Sequence, residues 1–583
     1  MSPILVQTRH FRQKMKGALV PTALALFLSA CTGSSFFKND VTESLKNEAY
    51  ASSEFYINKA DQSTKETQQS YLLLAVRKLI DENKMVEAQD TMARINAAEL
   101  NEIQRLEFQL LSAQLAALQK NNEQAVGFLK QLAIPQLSRA QQLRVYQTQA
   151  KIAENQNDVI EIVRARSMLD GYLNDNRARQ ENNDKIWETL RNANRGMLEK
   201  ATAGAGEIGL AGWLALANAY NQNVNNPSEL PRAIENWKQQ YPNHSAAQIM
   251  PTELQSVANF QQTQLSGVAL LLPLSGEAKI LGDIIKRGFD DAKGEDATAV
   301  QIYDTDAAPV AEIVDQAKQQ GVQTLIGPLL KSRVDEMITN PNIRDINVLA
   351  LNATPNAKAI NKVCYYGLSP EAEARSAAER LNRDGIQNAV VVAPQDDFGQ
   401  RSSDAFAQRW RQLTNRDIDA RYYHQPLDSI EALQNAGVAA GSGLYLLGTA
   451  EQLTELKQGI DNSSLAGKFP LYTSSRSNSP NNGPDFRLTM EGVKFSEIPL
   501  LADTDSDVYK KAESLAESDF SMMRLYAMGS DAWSIANKFN EFRQIPGYKV
   551  SGLTGVLSAG TNCNIEREMT WLQYQNGSVV PAN

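Results

Sequence analysis

Histidine and cysteine each occur three times in 583 residues. Such scarcity removes most of the imidazole and thiolate sets from which zinc and iron sites are built, and most Ser/His/Asp or Cys/His arrangements. One of the three histidines, His10, lies in a segment expected to be removed, leaving His244 and His424. No H-E-x-x-H, G-x-S-x-G or phosphate-loop pattern occurs, so no cofactor and no metal are expected. There is also no apolar run of the roughly 20 residues that a bilayer-spanning helix needs. Basic residues are in deficit, 58 Lys and Arg against 67 Asp and Glu, a net charge of −9. With no Lys/Arg-rich tract to grip phosphates, an acidic chain of this size is a poor partner for nucleic acid.

What is present begins with a short export signal. Arg9, Arg12, Lys14 and Lys16 precede a 14-residue apolar stretch, Gly17 to Ala30, with no acid among the first 30 residues. The stretch is too short to span a membrane and has the layout of a secretory h-region. It ends Leu28-Ser29-Ala30-Cys31, which resembles the lipobox of bacterial lipoproteins. That resemblance implies a diacylglyceryl group on Cys31, cleavage before it and acylation of the new amino group. Three acyl chains exceed the two signals needed for stable anchoring. Thr32, rather than Asp, after the cysteine implies export to the outer membrane, with the body on the periplasmic side. Residues 1–30 are therefore expected as signal peptide and 31–40 as lipidated N-terminus and linker. Losing four positive charges and no acid moves the net charge from −9 to −13.

From 41 to 256 the chain is rich in Gln, Asn, Ala and Leu, with prolines only at 135, 227, 231, 242 and 251. Apolar residues recur at helical spacing, as in Tyr71, Leu74, Ala75 and Leu79, which predicts an all-helical domain. Trp213-x-x-Leu216-Ala217-x-x-Tyr220, followed by Ala233-x₃-Trp237, fits the tetratricopeptide pattern with Ala in place of Gly. Weaker copies begin at Tyr71, Phe108 and Tyr146; Leu74 to Leu111 and Ala88 to Ala125 are both 37 residues. Small residues at these positions let paired helices approach closely, and stacked pairs bury a continuous core. The expectation is a TPR-like solenoid; the plainer alternative is an irregular helical array.

Beyond Ser266 the pattern changes. Val268–Leu272, Ala299–Tyr303, Thr324–Ile326, Val348–Leu351, Ala389–Ala393 and Gly443–Leu447 are short apolar runs separated by amphipathic stretches. Buried strands alternating with helices predict parallel sheets with right-handed crossovers, and residues 257–583 suffice for two such lobes. Leu271-Leu-Pro-Leu-Ser-Gly276, Arg287-Gly-Phe-Asp290, Ile326-Gly-Pro-Leu329, Leu351-Asn-Ala-Thr-Pro355 and Val391-Val-Ala-Pro394 with Phe398-Gly399 resemble the type 1 periplasmic binding proteins. The whole chain, with Gly367-Leu-Ser-Pro-Glu-Ala-Glu-Ala374, Leu525-Tyr-Ala-Met-Gly-Ser-Asp-Ala-Trp533, Gly552-Leu-Thr-Gly555 and Trp571-Leu-Gln-Tyr-Gln-Asn-Gly577, is similar to the LpoA family. That resemblance implies a non-catalytic outer-membrane lipoprotein. It would bind the bifunctional penicillin-binding protein 1A in the periplasm and stimulate its peptidoglycan cross-linking.

Two rival functions follow from the residues. In type 1 binding proteins the ligand is held by hydroxyls and backbone amides at strand ends, where helix N-termini face it. Ser275 and Thr354 sit at the corresponding positions, with Asp397 and Phe398 on the opposing lobe. Each has a plainer reading: Ser275 and Thr354 as turn residues, Phe398 as a core aromatic. No residue matches the acid that meets a ligand amine, so a vestigial cleft is expected, with an amino-acid- or muropeptide-binding protein as the alternative. A structural lipoprotein that grips peptidoglycan is the other rival. Asp396-Asp397 could serve as a glycosidase pair, although adjacent acids at a strand end more often cap a helix. Cys364 and Cys563 enter an oxidising compartment, which favours a disulfide between them over two separately buried thiols.

Overall fold

A computed structural model describes residues 40–582, grouped in two compact units that meet in sequence at Leu173 and Asn174. Cys31 and the signal lie outside the described residues.

In the first unit helices pair in antiparallel fashion: Lys65–Asp81 with Met85–Ala93, Glu102–Leu118 with Asn122–Leu129, and Arg139–Gln156 with Val159–Asp170. The repeat is written in its punctuation as much as in its core. Thr64, Asn101 and Ser138 are the N-caps of the long helices, 37 residues apart. The turns that join each pair carry Asn83, Lys120 and Asn157 in the left-handed region, again at intervals of 37. Asn101 and Ser138 form capping boxes with Gln104 and Gln141, satisfying orphan amides at both helix starts. The same glutamines reach back one repeat: Gln104 Nε2 donates to Ser70 Oγ (2.8 Å), and Gln141 Nε2 to Glu107 Oε2 (3.2 Å). Ala75, Ala88, Ala113, Ala117, Ala125 and Ala150 are buried where helices approach most closely. These contacts join equivalent positions of successive pairs, as a TPR-like solenoid requires.

The second unit opens with further helices, Asn176–Asn192, Ile208–Asn223, Leu230–Gln240 and Thr252–Ala258. The motif residues Trp213, Leu216, Ala217, Tyr220 and Trp237 are all buried. The Trp237 indole N–H donates to the Gly212 carbonyl (2.9 Å), tying the two helices of that motif together. Composition changes character near Ser266, and the last of these helices ends at Ala258, yet compactness divides the chain some 85 residues earlier. The reason is long-range packing. Tyr220 donates its hydroxyl proton to the Pro546 carbonyl (2.5 Å), the Lys549 amide to Asn225 Oδ1 (3.0 Å), and Thr263 Oγ1 to Glu541 Oε2 (2.6 Å). Local periodicity carries none of this.

Two α/β lobes follow. The first is a five-stranded parallel sheet of β1 Val268–Leu272, β2 Val300–Asp304, β3 Thr324–Ile326, β4 Asn347–Ala350 and β5 Val363–Tyr365, in order β2-β1-β3-β4-β5. The second uses β6 Asn388–Pro394, β7 Asp419–Tyr423, β8 Ser442–Leu446, β9 Leu471–Thr473 and β10 Lys494–Glu497 in the same relative order, β7-β6-β8-β9-β10. Strands such as β1 and β8 are buried along their whole length, because helices cover both faces. This repeated parallel order in two lobes is the type 1 periplasmic-binding-protein-like arrangement. The expectation of parallel sheets alone needs extending. β14 Thr570–Gln575 and β15 Ser578–Pro581 add antiparallel strands beside β10, and β11 Lys549–Ser551, β12 Val556–Ala559 and β13 Ile565–Glu568 form a separate antiparallel sheet.

After β10 the chain returns to the first lobe through helix Phe520–Ala536, which packs on helix Lys279–Lys293. The contact depends on glycine: a Cβ at Gly288 would lie 1.9 Å from the Tyr526 carbonyl oxygen, and one at Gly529 1.9 Å from that of Ile285. Cys364 on β5 and Cys563, just before β13, are joined by a disulfide, with Cα atoms 4.7 Å apart.

Candidate functional site

In parallel α/β sheets the strand ends, where helix N-termini gather, are where ligands and partners are met. At the end of β1 the chain turns through Pro273-Leu274-Ser275-Gly276, with Gly276 at φ +67°. Asp304, at the end of β2, organises this turn by accepting the Leu274 amide (2.9 Å) and the Asp306 amide (3.0 Å). Burial pushes the Asp304 carboxyl up, but hydrogen bonds from Ser275, Leu274 and Asp306 outweigh it and hold the carboxyl below its ordinary value. The Ser275 hydroxyl is thus engaged within its own turn. Thr354 donates to Asp335 Oδ1 (2.6 Å) and accepts the Asn356 amide (3.2 Å), so it too stitches a loop. Both first-lobe hydroxyls have partners inside the protein.

On the second lobe, helix Asp397–Thr414 starts at an N-cap provided by Asp396, which accepts the Gly399 amide (2.7 Å). Asp397 points to solvent, its side chain 84% exposed, and pairs with Arg401 Nε (2.9 Å). The adjacent acids therefore serve as cap and surface ion pair, with neither arranged opposite the other. Phe398 packs on the core that holds Phe406, Trp410 and Tyr445, and the Arg476 guanidinium lies 4.1 Å over its ring. Arg476 is exposed and Phe398 partly buried, so the pair forms a cation–π cover.

Beneath that cover lies a cavity of about 180 Å³ that no sequence motif announces. Of the four predicted residues Phe398 lines it; Ser275, Thr354 and Asp397 do not. Its walls come from the ends of β8, β9 and β10 and from helices Pro370–Arg383, Asp397–Thr414 and Phe520–Ala536. Two buried carboxylates organise them. Glu373 accepts the Ser475 amide (2.6 Å), the Ser475 hydroxyl (3.1 Å) and the Ser496 hydroxyl. Glu497 accepts Arg524 Nη2 (2.6 Å) and Asn478 Nδ2 (2.8 Å). Burial alone would lower the Arg524 pKa, but the Glu497 charge beside it wins and raises it. Tyr445, stacked on Phe406, is pushed well above its ordinary value, first by burial and then by Glu373, so its hydroxyl remains protonated. These residues come from separate helices, strands and loops of the chain and share no short motif. Among the described residues no cluster of His, Cys, Asp and Glu is placed to hold a metal ion, and no helix is long and apolar enough to cross a membrane.

Fold and site together define a two-lobed periplasmic-binding-protein-like module preceded by stacked helical pairs. The LppC lipoprotein family model matches residues 46–577. Two curated proteins, each named penicillin-binding protein activator LpoA, align along essentially their whole lengths. The one from Glaesserella parasuis serovar 5 (strain SH0165) is 71% identical over 584 residues, covering 100% of both chains. The one from Haemophilus ducreyi (strain 35000HP / ATCC 700724) is 64% identical, covering 98% of this chain and 99% of its own. A crystal structure of LpoA from Haemophilus influenzae matches at 46% identity and TM-score 0.79, over 93% of this chain and 99% of that one. A separate C-domain from the same organism, described as a regulator of PBP1A, matches at 48% identity and TM-score 0.52, over 55% of this chain and 100% of that one. The chain belongs to the LpoA family of LppC lipoproteins.

Proposed function

We propose that the protein is a non-catalytic activator of peptidoglycan synthesis that binds penicillin-binding protein 1A from the outer membrane and stimulates its transpeptidase activity. The observation that carries this reading is the end-to-end correspondence with relatives named as activators, at up to 71% identity and with both units matched in a full-length relative. A relative's C-domain described as a regulator of PBP1A supports the α/β module as the synthase-facing part. The engaged hydroxyls of Ser275 and Thr354, and the capping role of Asp396, support a regulator rather than an enzyme. The division of labour is signal 1–30, lipid tether at Cys31 within 31–40, TPR-like helices 41–256 and two-lobed module 257–583. Docking acts by favouring the cross-linking state of the synthase through tighter binding to it.

The test mixes residues 32–583, or residues 257–583, with purified penicillin-binding protein 1A and lipid-linked precursor, and records binding and the cross-linked fraction of the product. Binding with increased cross-linking by both preparations is expected. Absence of binding by either refutes the reading.

A further inference from the structure

The second-lobe cavity holds polar groups for which the protein supplies no partner. Ser402 and Ser474 line it at 1% and 3% exposure, and neither hydroxyl oxygen has a hydrogen-bond partner. Arg567 lines it at 5% exposure; its Nη1 reaches only the Thr554 carbonyl, at 3.5 Å, and its Nε has no acceptor. Asp531, which does not line the cavity, is engaged elsewhere by the Leu553 and Thr554 amides (2.7 and 2.8 Å) and the Thr554 hydroxyl (2.6 Å). Arg524, by contrast, is closely paired with Glu497. A buried guanidinium without a carboxylate is costly, because desolvation of the charge is not offset by an ion pair.

The charge count sets the ligand. Three guanidinium groups line the cavity, from Arg476, Arg524 and Arg567, against Glu373 on its wall and Glu497 behind Arg524. One positive charge is left over, which suits a monoanion; a dianion would be opposed by Glu373. The volume of about 180 Å³ is on the order of six water molecules at a liquid share of about 30 Å³ each, enough for a short organic acid. Phe398 and Met569 offer an apolar surface for its carbon body. We propose that this cavity binds a small monocarboxylate, with Arg567 taking the carboxylate, Ser402 and Ser474 the remaining polar atoms, and the Phe398–Arg476 pair covering the entrance. This goes beyond synthase activation and does not rest on it.

The test uses the soluble mature chain, residues 32–583, without any synthase. Calorimetric titration and thermal unfolding are run with propionate and L-lactate, each against its neutral amide, and with inorganic phosphate. Saturable carboxylate binding is expected, with a melting temperature that climbs with carboxylate and stays fixed with amide. Arg567→Gln should weaken binding by at least about tenfold, since a charge-assisted contact is removed. If that variant does not fold, Ser402→Ala combined with Ser474→Ala serves instead, with a loss of about threefold or more. No carboxylate binding below about 10 mM, equal binding of the amides, phosphate binding in place of carboxylate, or unchanged affinity in a folded variant would each overturn the proposal.

Discussion

Asp384 illustrates how a single carboxyl holds the second lobe. It sits just past helix Pro370–Arg383 and accepts from Arg380 Nε (2.8 Å), the Tyr472 hydroxyl (2.8 Å) on β9 and Lys494 Nζ (2.9 Å) on β10. Burial pushes its pKa up, but these three donors outweigh burial and hold it below the ordinary 3.8. A carboxyl with a depressed folded pKa contributes stability that is full above its unfolded value and is lost as pH falls through the folded one. Asp384→Asn should therefore lower urea stability equally at pH 7 and pH 5, with the gap from wild type closing below about pH 4. In the first unit, Glu107 is fully buried and its partner Arg144 nearly so, at 2.6 Å. Removing one member leaves an uncompensated charge, so Arg144→Met should cost about 3–5 kcal/mol by denaturant unfolding. Replacing both by apolar residues should cost far less.

At the scale of elements, the helix pair that ties the lobes is controlled by two glycines. A methyl group at Gly529 would meet the Ile285 backbone at 1.9 Å, a clash that only helix displacement relieves. Gly529→Ala should lower the melting temperature by several degrees, the effect of roughly 1–3 kcal/mol of overpacking. An exposed glycine such as Gly385, with nothing near its Cβ position, tests steric specificity. There Ala brings only the smaller strain of a positive φ. The Cys364–Cys563 link closes a loop of 199 residues between β5 and the antiparallel sheet. Loop-closure entropy ascribes about 5 kcal/mol to such a loop, so Cys563→Ser should unfold at clearly lower denaturant than the oxidised chain and match the wild type after reduction. The 37-residue repeat was visible in Leu74, Leu111, Ala88 and Ala125. The caps at Thr64, Asn101 and Ser138 follow the same spacing but carry three different residue types. That chemical interchangeability conceals the cap repeat in a single sequence.

For the whole molecule, the tether proposed at Cys31 and the body are expected to have separable roles. Cys31→Ala should leave synthase binding by the purified soluble chain unchanged while abolishing function in cells; loss of the purified interaction would contradict that separation. Helix and strand types were legible because burial imposes a period, 3.6 for the paired helices and continuous apolar runs for strands such as β1 and β8. The families were legible because short strand-end segments, Leu271 to Gly276 and Leu351 to Pro355 among them, keep a distinctive order. What the linear order of residues could not carry is which groups converge. Ser275 and Thr354 stand where a binding protein would use them, but Asp304 and Asp335 occupy their hydroxyls. Arg567, Ser402 and Ser474 are scattered over 166 positions, and only the sheet topology brings them to one cavity. Likewise, the tie from Tyr220 to Pro546 spans 326 positions and draws helical chain into the α/β unit. Periodicity and short motifs are local and survive in sequence; charge balance in a cavity and the limits of a compact unit are sums over distant contacts, and only the fold performs them.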